Sequence, residues 1–71
     1  MKQFLTREKF KTETGRQLFD ALIDKAPDLD ELYMTFAMVR GDEKRKKLLD
    51  FVNSGHSDWD EIDDFVIEQW G

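Results

Sequence analysis

The chain has 71 residues and sets 16 Asp and Glu against 11 Lys and Arg, a net charge of −5. That length admits one domain, whose single core supplies roughly 3–5 kcal/mol, and the absence of cysteine excludes disulfide staples, thiolate metal sites and thiol catalysis. Six Phe, two Trp and one Tyr set the chain apart from disordered segments, which are poor in aromatics.

Residues 1–13 read as a short N-terminal helix or arm, with Thr6 as a cap and Phe4, Leu5 and Phe10 tacking it to the rest. Thr14-Gly15-Arg16-Gln17 matches a capping box and opens a helix over about 15–26. Leu18, Phe19, Leu22, Ile23 and Ala26 form its apolar face. Pro27 closes that helix by disfavouring the α conformation at Ala26.

Asp28 caps the next helix, 29–40, where Leu29, Leu32, Tyr33, Phe36 and Val39 make the core face. Met34 and Met38 stand one turn apart on the opposite side, as gap-filling core residues or as an exposed pair for self-association or partner binding. Gly41 and Gly55 occupy helix-closing positions, and Asp42 and Ser57 cap the segments that follow. The 43–54 segment groups Leu48, Leu49, Phe51 and Val52. The last helix, 58–70, sets Trp59, Ile62, Phe65, Val66 and Trp70 against Asp60, Glu61, Asp64 and Glu68. Sustained period-2 alternation is absent, so the expected fold is all-α: a compact single-domain bundle of four to five short helices joined by tight turns.

Catalytic and metal chemistry find little support in the residues. Ser54, His56 and Asp58 carry the letters of a hydrolytic triad, but neighbours in one tight turn cannot adopt its geometry. Asp58, Asp60 and Asp63 open like a calcium loop, which then requires Gly at its sixth position and Glu at its twelfth; Asp63 and Gln69 stand there. Lys44-Arg45-Lys46-Lys47 is the one basic cluster. On a helix its members face four directions, and Asp42, Glu43 and Asp50 flank them, which favours a solvated face over a nucleic-acid contact.

Charge is segregated along the chain. Residues 1–16 hold five basic and two acidic side chains, whereas 55–71 hold six acidic and no Lys or Arg. Asp60, Asp64 and Glu68, spaced i, i+4, i+8, form an acidic row in which each like-charge pair costs about 0.2–0.5 kcal/mol. Such a row requires a neutraliser, either Lys2, Arg7, Lys9 and Lys11 within the fold or a cationic partner.

The expected function is therefore that of a small cytoplasmic protein–protein interaction or regulatory protein without catalytic activity or cofactor. Its candidate binding residues are Asp60, Asp64, Glu68, Met34 and Met38. The alternative is a regulator acting near nucleic acid, through weak direct binding or as an acidic decoy for a DNA-binding protein. The polar turn after Met1-Lys2-Gln3-Phe4-Leu5 and the lack of a long apolar run point away from a membrane.

Overall fold

The computed structural model describes residues 6–71, and four α-helices with no strand among them make it all-α. The helices are α1 (Glu13–Ile23), α2 (Leu29–Met38), α3 (Asp42–Asn53) and α4 (Trp59–Trp70), preceded by a single 3-10 turn at Arg7–Lys9. The Cα radius of gyration, 11.1 Å, equals the roughly 11 Å expected of a close-packed chain of this length. Lys2, Phe4 and Leu5 lie outside the described residues.

Helix α1 starts two residues earlier than the capping box at Thr14 predicts. The cap is Thr12, whose hydroxyl accepts from the Gly15 N–H at 3.3 Å and donates to the Asp42 carboxylate at 2.7 Å. Gly15 is present for a tertiary reason: a Cβ there would stand 3.1–3.3 Å from Phe10. The Phe10 ring therefore drops onto the α1 backbone and meets Phe19 and Phe36, with centroids at 5.7 and 4.6 Å. One aromatic cluster thus ties the N-terminal arm to α1 and α2. The described part of the arm, from Thr6 on, holds a turn closed by a Lys9 N–H to Thr6 C=O bond, and the Thr6 side chain makes no cap bond.

Helix α1 also ends earlier than expected, at Ile23, where Asp24 is the C-cap and the Lys25 and Ala26 N–H groups both turn to the Leu22 carbonyl at 3.0 Å. Lys25 then donates its ammonium to the Ala21 carbonyl at 3.1 Å, satisfying one of the free acceptors of the helix end. Asp28 caps α2 as expected, accepting from the Glu31 N–H at 2.9 Å. Two expected caps move by one residue. Gly41, at φ +88°, precedes α3 and offers no side chain, so Asp42 is the first helical residue. Asp58 rather than Ser57 caps α4, accepting from the Asp60 N–H at 3.2 Å. Gly55, at φ +107°, closes α3 in the conformation only glycine adopts cheaply.

The closest backbone approaches are α1 with α3, α3 with α4 and α2 with α4. The core they enclose is Phe10, Leu18, Phe19, Leu22, Leu32, Phe36, Val39, Leu48, Leu49, Val52, Ile62 and Val66. Thr35 is buried with them and donates its hydroxyl to the Glu31 carbonyl, which removes the penalty of an unpaired donor. Trp59 is half-buried at the core's edge. Its indole N–H is sequestered with no acceptor among the described residues.

The face assigned to α2 requires correction. Leu29 and Tyr33 are exposed, at 41% and 49%, while Leu32, Thr35, Phe36 and Val39 form the buried stripe. Packing of α2 against α4 on one side and the Phe10 cluster on the other rotates the buried arc away from Leu29 and Tyr33.

Candidate functional site

The outer face of α4 carries the acidic row. Ile62 and Val66 fix the helix in the core, and Trp59, Phe65 and Trp70 flank them half-buried. That leaves Asp60, Asp64 and Glu68 exposed, one turn apart. Among the described residues no Lys or Arg forms an ion pair with any of the three. Arg7, one of the candidate neutralisers, instead pairs with Asp20 of α1 at 3.2 Å, and Lys9 and Lys11 pair with no carboxylate among the described residues. The local repulsion within the row therefore persists in the described fold.

Two of the three row residues border a shallow groove of about 220 Å³ between α4 and the α3–α4 turn. Its walls are Asp64, Glu68 and a third carboxylate, Glu61, and its floor is Phe51, His56 and Phe65. Asp60 is not part of it. Glu61 was legible in the sequence as the i, i+3, i+7 companion of Asp64 and Glu68, a spacing that holds one helix face better than i, i+4, i+8.

The floor is a continuous aromatic stack. The His56 imidazole lies parallel to Phe51 at 4.0 Å with a 2° tilt, and Phe65 stacks on Phe51 at 4.1 Å with 15°. Two near-parallel rings at van der Waals distance must occupy opposite faces, so Phe51 is sandwiched. Trp70 then meets Phe65 edge-on, centroids 5.8 Å apart. His56 Nδ1 sits 3.2 Å from Glu61 Oε2, fixing the imidazole over the turn.

Because the ring faces of Phe51 are consumed by stacking, the groove offers aromatic edges bordered by carboxylates. An aliphatic stem ending in a cation matches this surface, since the methylenes of Lys or Arg cover apolar edges while the head reaches the carboxylates. The volume falls below the roughly 300–1,000 Å³ of small-molecule pockets and suits one side chain of a larger partner.

The triad letters serve local structure. Ser54 donates its hydroxyl to the Asp50 carbonyl at 2.8 Å, His56 joins the stack, and Asp58 caps α4. Among the described residues no three His, Asp or Glu side chains converge to hold a metal ion, and no helix is long and apolar enough to cross a membrane.

The methionine pair is divided by the fold. Met34 is 62% exposed, whereas Met38 is half-buried and packs on the core. Met38 lies at the C-terminal end of α2, where the chain turns inward through the fully buried Val39, so its one-turn offset from Met34 does not give a shared environment. The basic run divides as well. Lys44, Lys46 and Lys47 border a 440 Å³ surface depression together with Glu43, Asp50 and Trp70, a lining of mixed charge. Arg45 turns the other way, donating through Nε to the Val39 carbonyl at 3.1 Å.

No protein-family model, curated protein or solved structure matches the chain.

Proposed function

We propose that this protein is a non-catalytic binding module that takes a basic segment of another protein at the α4 groove. The observation that carries the reading is the set of carboxylates, Asp64 and Glu68 with Glu61 beside them, bordering aromatic edges with no Lys or Arg partner among the described residues. Like charges held one turn apart destabilise a helix, and a bound cation offsets that cost. A Lys or Arg side chain of the partner lies along Phe51 and Phe65 and places its head between Asp64 and Glu68. The basic groove of a nucleic-acid-binding protein belongs to the same partner class. His56, held by Glu61, orients the stack and needs no role in bond-making.

The test is a fluorescence-anisotropy titration with a labelled nonapeptide of alternating Arg and Ala at low ionic strength. Binding is expected, weakening as salt shortens the screening length from about 30 Å at 0.01 M to about 8 Å at 0.15 M. The Asp64→Asn and Glu68→Gln variants should each bind several-fold more weakly, and Glu8→Gln, on the N-terminal turn, should not. Equal affinity for all three variants would place the cation elsewhere and remove the groove from consideration.

A further inference from the structure

A second groove, of about 390 Å³, lies on the opposite charge pole, where the 3-10 turn, the C-terminal end of α2 and the start of α3 meet. Its floor is the ring cluster of Phe10 and Phe36 with the half-exposed Tyr33, and its charged lining is Lys9, Arg40 and Arg45. No carboxylate lines it, and none of the three cations is ion-paired among the described residues. In a chain of net charge −5 with more acids than bases, three unpaired cations around one apolar floor demand an account.

The two arginines are already held in place. Arg45 Nε donates to the Val39 carbonyl at 3.1 Å, and its guanidinium carbon stands 5.3 Å from the Phe10 centroid and 5.8 Å from that of Phe36. Arg40 Nε donates to the Ala37 carbonyl at 3.1 Å. Each arginine thus spends its inner nitrogen on the backbone and keeps its terminal amino groups for an acceptor. A pre-oriented guanidinium loses little freedom on forming a two-point contact with a carboxylate, which is where Arg surpasses Lys.

We infer that this groove binds a short acidic peptide segment of a partner protein, with carboxylates beside an aromatic or branched apolar side chain. The apolar residue rests on the half-exposed Tyr33, at the rim of the buried Phe10 and Phe36 rings, while its acidic neighbours meet Arg40, Arg45 and Lys9. Charge complementarity selects the acidic ligand, and the aromatic floor selects the apolar anchor. A long polyanion is disfavoured because the groove, of about 390 Å³, holds only a few residues and the chain as a whole carries a net charge of −5. A segment of a few residues presents its charge only where the cations stand. This site is independent of the α4 groove, so either can fail alone.

The probe is a fluorescein-labelled hexapeptide of alternating Glu and Phe, followed by anisotropy with the full chain. It should bind, and a Glu and Ser hexapeptide should bind at least several-fold more weakly for want of the apolar anchor. Arg40→Glu should lose about tenfold or more, as expected for a charge reversal at a desolvating contact. Arg45→Lys keeps the charge and loses the fork, and should lose several-fold. Lys47→Glu makes the same change in net charge as Arg40→Glu on a different face, so its affinity should stay within about twofold of the parent; circular dichroism confirms that each variant is folded. The inference is overturned if Arg40→Glu and Lys47→Glu bind alike. It is equally overturned if oligothymidylate or inorganic phosphate displaces the peptide at lower concentration than the unlabelled peptide does, or if sedimentation shows self-association that Arg40→Glu abolishes, which would make a second copy the occupant.

Discussion

Gly15 is the residue on which the attachment of the N-terminal arm turns. In an exposed helix, Gly→Ala gains about 1 kcal/mol of helical propensity. Here the added Cβ meets Phe10, whose ring is held by Phe19, Phe36 and the Arg45 guanidinium and has little room to give. Overpacking of this kind costs about 1–3 kcal/mol, so Gly15→Ala is expected to lower the melting temperature. The penalty should shrink in a Phe10→Ala background, where Cγ and Cδ1 are gone and only the Cβ contact remains, and a double-mutant cycle by thermal melting checks both. Trp59 offers the opposite case. Its buried indole N–H has no acceptor among the described residues, and an unmade hydrogen bond costs about 1–3 kcal/mol. Trp59→Phe removes that donor along with some apolar area, so urea unfolding should find stability within about 1 kcal/mol of the parent. A loss much larger than that would mean the N–H is satisfied after all.

Between elements, Thr12 and Asp42 form the joint. One hydroxyl caps α1 through Gly15 and donates to the first residue of α3, drawing two helix N-termini toward a shared carboxylate that favours both dipoles. Thr12→Val should cost about 0.5–2 kcal/mol, the worth of a lost cap, since the exposed Asp42 carboxylate regains water, and Thr12→Ser should recover most of it in denaturant titrations. Helix α4 is under the reverse condition. Its acidic row lacks a cation within the described fold, so Asp64→Asn relieves repulsion on two sides and should hold or raise stability by a few tenths of a kcal/mol at low salt. A clear drop in melting temperature would reveal a neutraliser and weaken the binding role of the row.

Periodicity made the four helices and most of their core faces legible, because caps, Pro27 and the glycines mark ends by local chemistry. What escaped was set by contacts between distant residues. Thr14 fits the capping pattern better than Thr12, and only the descent of Phe10 onto Gly15 explains why the third helical residue is a glycine rather than an acid or amide. On a helical wheel Met34 and Met38 are equivalent; their different burial depends on where along α2 the neighbouring chain runs. In the α4 groove, Asp64 and Glu68 were visible from spacing, while the floor joins Phe51 and His56 across a turn that periodicity does not describe. The basic groove was harder still, since Lys9 lies far in sequence from Arg40 and Arg45, and the run from Lys44 to Lys47 reads as dispersed until Arg45 is seen to fold back on Val39.

At the scale of the whole molecule, neutralisation of the acidic row by Arg7, Lys9 or Lys11, one of the two alternatives that the segregated charge leaves open, does not occur among the described residues. The 3-10 turn packs on α1, where Arg7 finds Asp20, and α4 packs on α2 and α3. The result is a small body with a positive groove beside the Phe10 cluster and a negative groove on α4.

The His56–Phe51 stack also makes the protein its own spectroscopic probe. An imidazole lying flat over a benzene ring at 4.0 Å sits in the shielding cone of that ring's induced current, so its carbon-bound protons should resonate upfield of their usual positions. His56 is the only imidazole in the chain, which makes those signals unambiguous without isotopic assignment. A cation entering between Asp64 and Glu68 would disturb the stack beneath it and move them, whereas an acidic peptide in the other groove should leave them in place. One proton spectrum can then report which of the two grooves is filled.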